Sequence, residues 1–337
     1  MRRAAGTIMA AEIAEQPQAL ARLLDLGAPE IARVRRTIFE RSLRGVVIAA
    51  RGTSDHAALY VKYLAEIKLG LPAGLASMSA ATLYGAEQNL AKVLFVAVSQ
   101  SGDSPDLVES TRRARLQGAT TLAILNDTAS PLAEAAEHVI DIRAGRERAV
   151  AATKSYTSQL LACYLLVTGD LAGARAVVNA AARTLAFAEQ AHAVADRYRL
   201  TNWLVTVGRG YSYPTAREAA LKLMETSYLS AHAFSGADLL HGPLAMIDHR
   251  MPVIAVVSGG VGARALEPVL DRVREAGAEI LRVGPGDELH VDCAGLTEEL
   301  LPVVEIMPLQ QMAWRLALDR GHNPDRPRGL EKVTQTL

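Results

Sequence analysis

Two short stretches crowd hydroxyl groups together. Residues 99–106 read "SQSGDSPD" and carry Ser99, Gln100, Ser101 and Ser104, while residues 50–56 read "ARGTSDH" and carry Thr53 and Ser54. The octet has no positive charge, yet its residue types suit an anion. A phosphate can be held by hydroxyls and by backbone N–H groups at helix N-termini, where the macrodipole supplies partial positive charge without a lysine. Ser104 also fits the N-cap of a helix, with Pro105 in the first helical position and Asp106 in the first turn. One cap does not need the other hydroxyls. Further along, Glu218, Lys222 and Glu225 stand at i, i+4 and i+7 of a helix opening at Pro214. A carboxylate–ammonium–carboxylate face could move a proton. It is also the spacing of a solvated stripe with one weak ion pair, which spacing alone favours. His241, in "LLHGPLA", is a turn residue as readily as a proton carrier. Lys332 stands near the chain end, where side chains are usually solvated, so spacing gives it little weight.

The elements that must position these residues follow from periodicity. "VLFVAV" directly before the octet is an unbroken β-branched and aliphatic run, which predicts a strand of a parallel sheet covered on both faces. "LVESTRRARLQG" after it predicts a helix stopped at Gly118. The octet is therefore a strand-to-helix turn, and ligands of open α/β sheets bind at the carboxyl ends of strands. Similar runs at "GVVIAA", "TTLAIL" and "HVIDI" alternate with helical patterns after an N-terminal helical region. An Ala-rich helical stretch covers about 155–198. The alternation restarts at "NWLVTVGRG" and continues through "PVIAVVSG" and "AEILRVG", which predicts two domains, 1–195 and 196–337. "VVIAARGTSDHAALYVKYLAE" and "WLVTVGRGYSYPTAREAALKLME" both read strand, Arg-Gly turn and amphipathic helix. Either an internal duplication or any two βα units would give that likeness.

The 337 residues, half of them hydrophobic, can bury a large core. Equal numbers of basic and acidic residues, 36 of each, with no basic run interleaved with aromatics, argue against a nucleic-acid surface. The two cysteines, Cys163 and Cys293, lack metal-type spacing and read as buried hydrophobes rather than a disulfide or zinc site. "GRGYSY" and "GGVGAR" fail to complete a dinucleotide fingerprint. Glu12 and Glu15 interrupt any apolar core at the N-terminus, so no signal peptide is expected, and no segment reaches membrane-spanning length. The default expectation is a cytoplasmic, prokaryote-like protein acting on a small molecule.

Together, in order, "EIAEQPQAL", "ARGTSDHA", "SQSGDSPD", "ERAVAATKSYTSQL", "GRGYSYPTAREAALKLMETSY", "DLLHGPLA" and "PRGLEKV" run through nearly the whole chain. This set resembles the sugar isomerase (SIS) family, specifically the isomerase half of glucosamine-6-phosphate synthase and its stand-alone relatives. The resemblance implies two SIS domains, each a doubly wound parallel sheet flanked by helices, in a homodimer with shared active sites and with no metal or organic cofactor. It implies that Thr53 and Ser54 meet the sugar phosphate, that Ser99, Gln100, Ser101 and Ser104 cradle it, and that Val150 lines the sugar pocket. Glu225 matches the carboxylate that shuttles a proton between the first two sugar carbons, with Glu218 and Lys222 as charged partners, which reverses the preference for a solvated stripe. His241 matches the residue that opens the sugar ring, given by the neighbouring subunit. Lys332 matches the lysine that forms a Schiff base with the open-chain ketose.

The synthase begins with a glutaminase domain bearing an N-terminal cysteine, and this sequence shows no counterpart, so glutamine is not expected as its nitrogen source. "KVTQTL" and the Asp103-Ser104 pair look more like the stand-alone deaminases. The expected reaction is interconversion of glucosamine 6-phosphate with fructose 6-phosphate and ammonia. A fructosamine-6-phosphate deglycase or a galactosamine-type deaminase is the alternative enzyme, and a non-catalytic phosphosugar sensor is the alternative of another class.

Overall fold

A computed structural model describes residues 4–332. The chain divides into two compact units. Among the described residues, one comprises Gln18–Glu147, Lys154–Ala174, Glu331 and Lys332; the other comprises residues 4–17, Arg148–Thr153 and Arg175–Leu330. A single cut at 195/196 separates the two sheets, but helical segments and the tail cross that line in both directions.

The first sheet contains β1 (Gly45–Ala49), β2 (Ala73–Leu75), β3 (Val93–Val98), β4 (Thr120–Leu125) and β5 (His138–Asp141). All its pairings are parallel, in the order β2-β1-β3-β4-β5. Every residue of β3 and β4 is buried, as the unbroken apolar runs require when helices cover both faces. Phe95 and Ala97 face the side where α2 (Pro105–Leu116) contributes Leu107 and the short helix Pro131–Ala135 contributes Leu132. The alternate residues of β3 turn to the other side, which α1 (Thr53–Leu64) and α3 (Lys154–Thr168) cover. Gly118 ends the α2 turn in the left-handed region, φ 90°, as its position predicts.

The second sheet contains β6 (Trp203–Gly208), β7 (Ser230–Ser235), β8 (Val253–Val256), β9 (Ile280–Gly284) and β10 (Leu289–His290), again all parallel. Its order is β10-β9-β8-β6-β7. Read from the other edge this is second, first, third, fourth, fifth strand, the same order as in the first sheet. The local likeness of the two halves thus extends to topology, as a duplicated unit would. Here α5 (Gly260–Glu275) covers one face through Leu266, Val269, Leu270 and Val273, and α4 (Tyr213–Ser227) and α6 (Leu301–Asp319) pack on the other.

Sequence periodicity misses β2, β7 and β10. Each is an edge strand, and "AGL", "SAHAFS" and "LH" carry no continuous apolar run because an edge is only partly covered. The Ala-rich stretch is broken into Lys154–Thr168, Leu171–Ala174, Ala176–Leu185 and Ala188–Arg197, with Gly169 at φ 70° making the first break. Cys163 is buried as expected, but Cys293 is only partly covered. Among the described residues, no helix is long and apolar enough to cross a membrane.

Candidate active site

In the β1–β5 unit the two hydroxyl-rich turns follow β1 and β3, which are hydrogen-bonded neighbours at the point where strand order reverses. An open α/β sheet leaves a crevice there. The turn after β3 is shaped by its own side chains. Ser99 Oγ accepts the N–H of Gly102 at 3.0 Å, and Ser101 Oγ accepts that of Asp103 at 3.3 Å. Gly102 is left-handed, φ 75°, and a Cβ there would collide with the hydroxyl of Ser130, so only glycine closes this loop. Ser54 accepts a 3.0 Å hydrogen bond from Gln159 Nε2 of α3. In each case the hydroxyl accepts one hydrogen bond and keeps its own proton to donate. That is the polarity an anion needs. Two of the backbone N–H groups expected to hold it are spent on Ser99 and Ser101 instead.

Ser104 occupies the N-cap of α2, but its side chain makes no capping hydrogen bond. The expected cap position, with Pro105 and Asp106 following it, is therefore present without the side-chain bond that usually goes with it. Thr53 opens α1 directly after Gly52, and Gln100 is half-buried in the second turn. Arg51, inside the quoted motif but without an assigned role, ties the two turns together. Its Nη2 and Nε donate to the buried Asp106 carboxylate at 2.7 and 3.0 Å. The partners stand 55 residues apart, so no local pattern announces the pair.

Lys332 is not a solvated tail lysine. Its Nζ donates to Glu147 Oε2 at 2.8 Å, and the Glu147 side chain is fully buried. Ser155 at the start of α3 supports the same carboxylate through its N–H at 3.1 Å and its hydroxyl at 2.7 Å. Glu147 lies in the "ERAV" motif beside Val150, yet the sequence reading assigned it no role. Val150 itself is half-buried in the other unit, its N–H bonded to the Asp325 carbonyl at 3.2 Å.

In the β6–β10 unit, Glu218, Lys222 and Glu225 do share one face of α4, and that face is no solvated stripe. Glu218 and Lys222 have no exposed side-chain surface and Glu225 has 19%. The Lys222 ammonium lies 3.3 Å from Glu218 and hydrogen-bonds Glu225. Burial works against its charge, but the attraction of both carboxylates outweighs burial and holds it above the ordinary lysine range. His241 caps the short helix Gly236–Leu240, with its N–H on the Asp238 carbonyl and its side chain exposed.

This unit has a crevice equivalent to that between β1 and β3, namely the turns after β6 and β8, and its own acids fill it. Glu298 accepts the N–H groups of Val261 and Gly262 at the start of α5, both at 2.8 Å. Glu305 of α6 accepts the hydroxyls of Ser212 and Thr215 at 2.8 and 2.9 Å. Burial pushes the Glu305 carboxyl up to about 7, and these hydrogen bonds only partly offset it. The same arrangement of turns is therefore present twice: the turns after β6 and β8 are bonded by Glu298 and Glu305, whereas Asp106 at the turns after β1 and β3 is paired with Arg51.

The SIS domain family matches residues 41–169 and 201–283. The isomerizing glutamine–fructose-6-phosphate aminotransferase of Methanothermobacter thermautotrophicus is 35% identical over 348 residues, covering 96% of this chain and 56% of that protein. The chain thus spans about half the length of the curated relatives it matches. A candidate phosphosugar isomerase of Silicibacter pomeroyi has a crystal structure with TM-score 0.85 and 36% identity, covering 94% of this chain and 99% of that one. The C-terminal domain of glucosamine-fructose-6-phosphate aminotransferase from Francisella tularensis follows at TM-score 0.84 and 27% identity, covering 95% and 98%. With two parallel five-stranded sheets of one strand order, and a family match over each, this chain belongs to the SIS domain family.

Proposed function

We propose that the protein is a phosphosugar isomerase-type enzyme that interconverts glucosamine 6-phosphate with fructose 6-phosphate and ammonia. The observation that carries this reading is that one unit holds both an anion-type pair of turns and a lysine kept in place by a buried carboxylate. A phosphosugar with an open-chain carbonyl needs both. Thr53, Ser54, Ser99, Gln100, Ser101 and Ser104 take the phosphate, and Val150 contributes to the sugar pocket. Lys332 adds to the ketose carbonyl with loss of water to form an imine.

Glu225 removes the proton from C2 of the open-chain amino aldose and returns it to C1, while an amine N–H proton passes to the C1 oxygen, leaving a C1 hydroxyl and an imine at C2 that water hydrolyses to ketose and ammonia. The Lys222 ammonium, held charged by Glu218 and Glu225, stabilises the negative charge that develops between those steps. His241 opens the sugar ring from a neighbouring copy of the chain in a homodimer, a role that its exposure in the single chain permits.

An assay of ammonia release over a panel of amino-sugar phosphates and phosphorylated fructosamine adducts tests the reading. Glucosamine 6-phosphate should give ammonia and fructose 6-phosphate in equal amounts. Release only from the fructosamine adducts would replace the deaminase with a deglycase, and tight binding with no turnover on any member would make the protein a sensor.

A further inference from the structure

The residue after the α4 helix is in a conformation that an aromatic side chain rarely adopts. Tyr228 has φ 55° and ψ 34°, in the left-handed region usually left to glycine at a helix end. Such strain persists only where surrounding contacts hold it. The Tyr228 side chain makes three, all to one irregular segment after α6. Its hydroxyl accepts the N–H of Arg328 at 2.9 Å. The Arg328 guanidinium lies 4.2 Å from the ring centroid, and the His322 ring packs at 4.5 Å. Earlier points of this segment are pinned separately: Asp325 accepts the N–H groups of Ile8 and Met9, and Asn323 accepts that of Gly6. Tyr228 thus grips the segment at its downstream end, four residues before Lys332 and three residues after Glu225 in the chain.

We propose that Tyr228 is a positioning residue that fixes the base of the tail, so that the Lys332 amine is presented in a single place for imine formation. This rests on the role given to Lys332 under the proposed function. A segment without regular structure keeps its order only through such anchors, and without this one the four residues before Lys332 lose their fixed start. Lys332 would still reach Glu147, but only as one of several placements. The phosphate turns belong to other elements and keep their affinity.

The test uses the full chain, with fructose 6-phosphate and borohydride to trap the imine, and mass analysis to locate it. Tyr228→Gly is the informative variant because glycine relieves the left-handed backbone and so offsets part of the loss of the three side-chain contacts; a purely structural role then predicts a changed melting temperature with normal catalysis in the folded protein. Positioning predicts a folded protein whose KM changes by less than about twofold while kcat and the rate of trapping at Lys332 both fall about tenfold. Tyr228→Phe keeps the ring contacts and loses one hydrogen bond, so it should fall about three- to tenfold; it also decides the matter if the glycine variant does not fold. Trapping at the wild-type rate in folded Tyr228 variants overturns the positioning role and leaves the function standing. Absence of any adduct on Lys332 in the wild-type protein overturns the imine reading itself, and the positioning role with it.

Discussion

A buried lysine between two carboxylates is costly to assemble, and that cost separates a site from a surface. Lys222 and Glu218 have no exposed side-chain area, and Glu225 retains a small opening. Of the three, only Glu225 can meet a ligand and still be backed by the ammonium. We therefore expect Glu225→Gln, which keeps the shape and removes the base, to lower turnover by about 10² or more. Phosphosugar affinity should stay near the wild-type value, because the hydroxyl turns are untouched. Exchange of the substrate C2 proton with solvent, followed by NMR, checks this. Near-normal exchange would take Glu225 out of the proton shuttle. The spacing of these residues was legible in the sequence, but their burial was not, since i, i+4 and i+7 describe a face without saying what covers it.

At the scale of elements, α6 carries an acid into the buried interior of its unit. Glu305 is fully buried, and burial raises its carboxyl from the ordinary glutamate value of 4.5 to about 7. The folded state then holds a proton that the unfolded chain has released between about pH 4.5 and 7. Stability from this group is present in full below about pH 4.5 and is lost as pH rises through about 7, up to about 3 kcal/mol. Urea unfolding from pH 5 to 8 should show this decline on top of the other titrations. Glu305→Gln should flatten it and be the more stable protein at pH 8, with its amide still able to meet Ser212 and Thr215. An unchanged slope in that variant would assign the pH dependence to other groups. Nothing local in "LPVVEIMPLQ" marks Glu305 as buried, whereas the strand and helix patterns around it are plain.

For the whole molecule, two sheets of one strand order raise the question of how many ligands each chain takes. Duplication alone would allow two. In the β6–β10 unit, however, Glu298 already occupies the N–H groups at the start of α5, and Glu305 takes the hydroxyls of the neighbouring turn. A second phosphate would have to displace a carboxylate and then sit beside another, which like charge opposes. Calorimetric titration with fructose 6-phosphate should therefore saturate at one ligand per chain. A stoichiometry of two would show that the filled crevice opens.

What the sequence determined by itself is what short-range physics sets. Unbroken β-branched runs must be strands covered on both faces, the glycines and prolines at their ends must be turns, and hydroxyls crowded at two strand ends suit an anion by residue type alone. The order of the motifs was enough to indicate the family. Tertiary structure decided the rest, because it depends on groups distant in the chain. Arg51 meets Asp106 across 55 residues and Lys332 meets Glu147 across 185. The edge strands β2, β7 and β10 exist because a neighbouring strand supplies their hydrogen bonds, not because their own residues favour extension. Which of two equivalent crevices is filled by its own acid likewise depends on where Glu298 and Glu305 arrive after the chain has folded. Periodicity reports the face a residue shares, but the partner on that face comes from elsewhere in the chain.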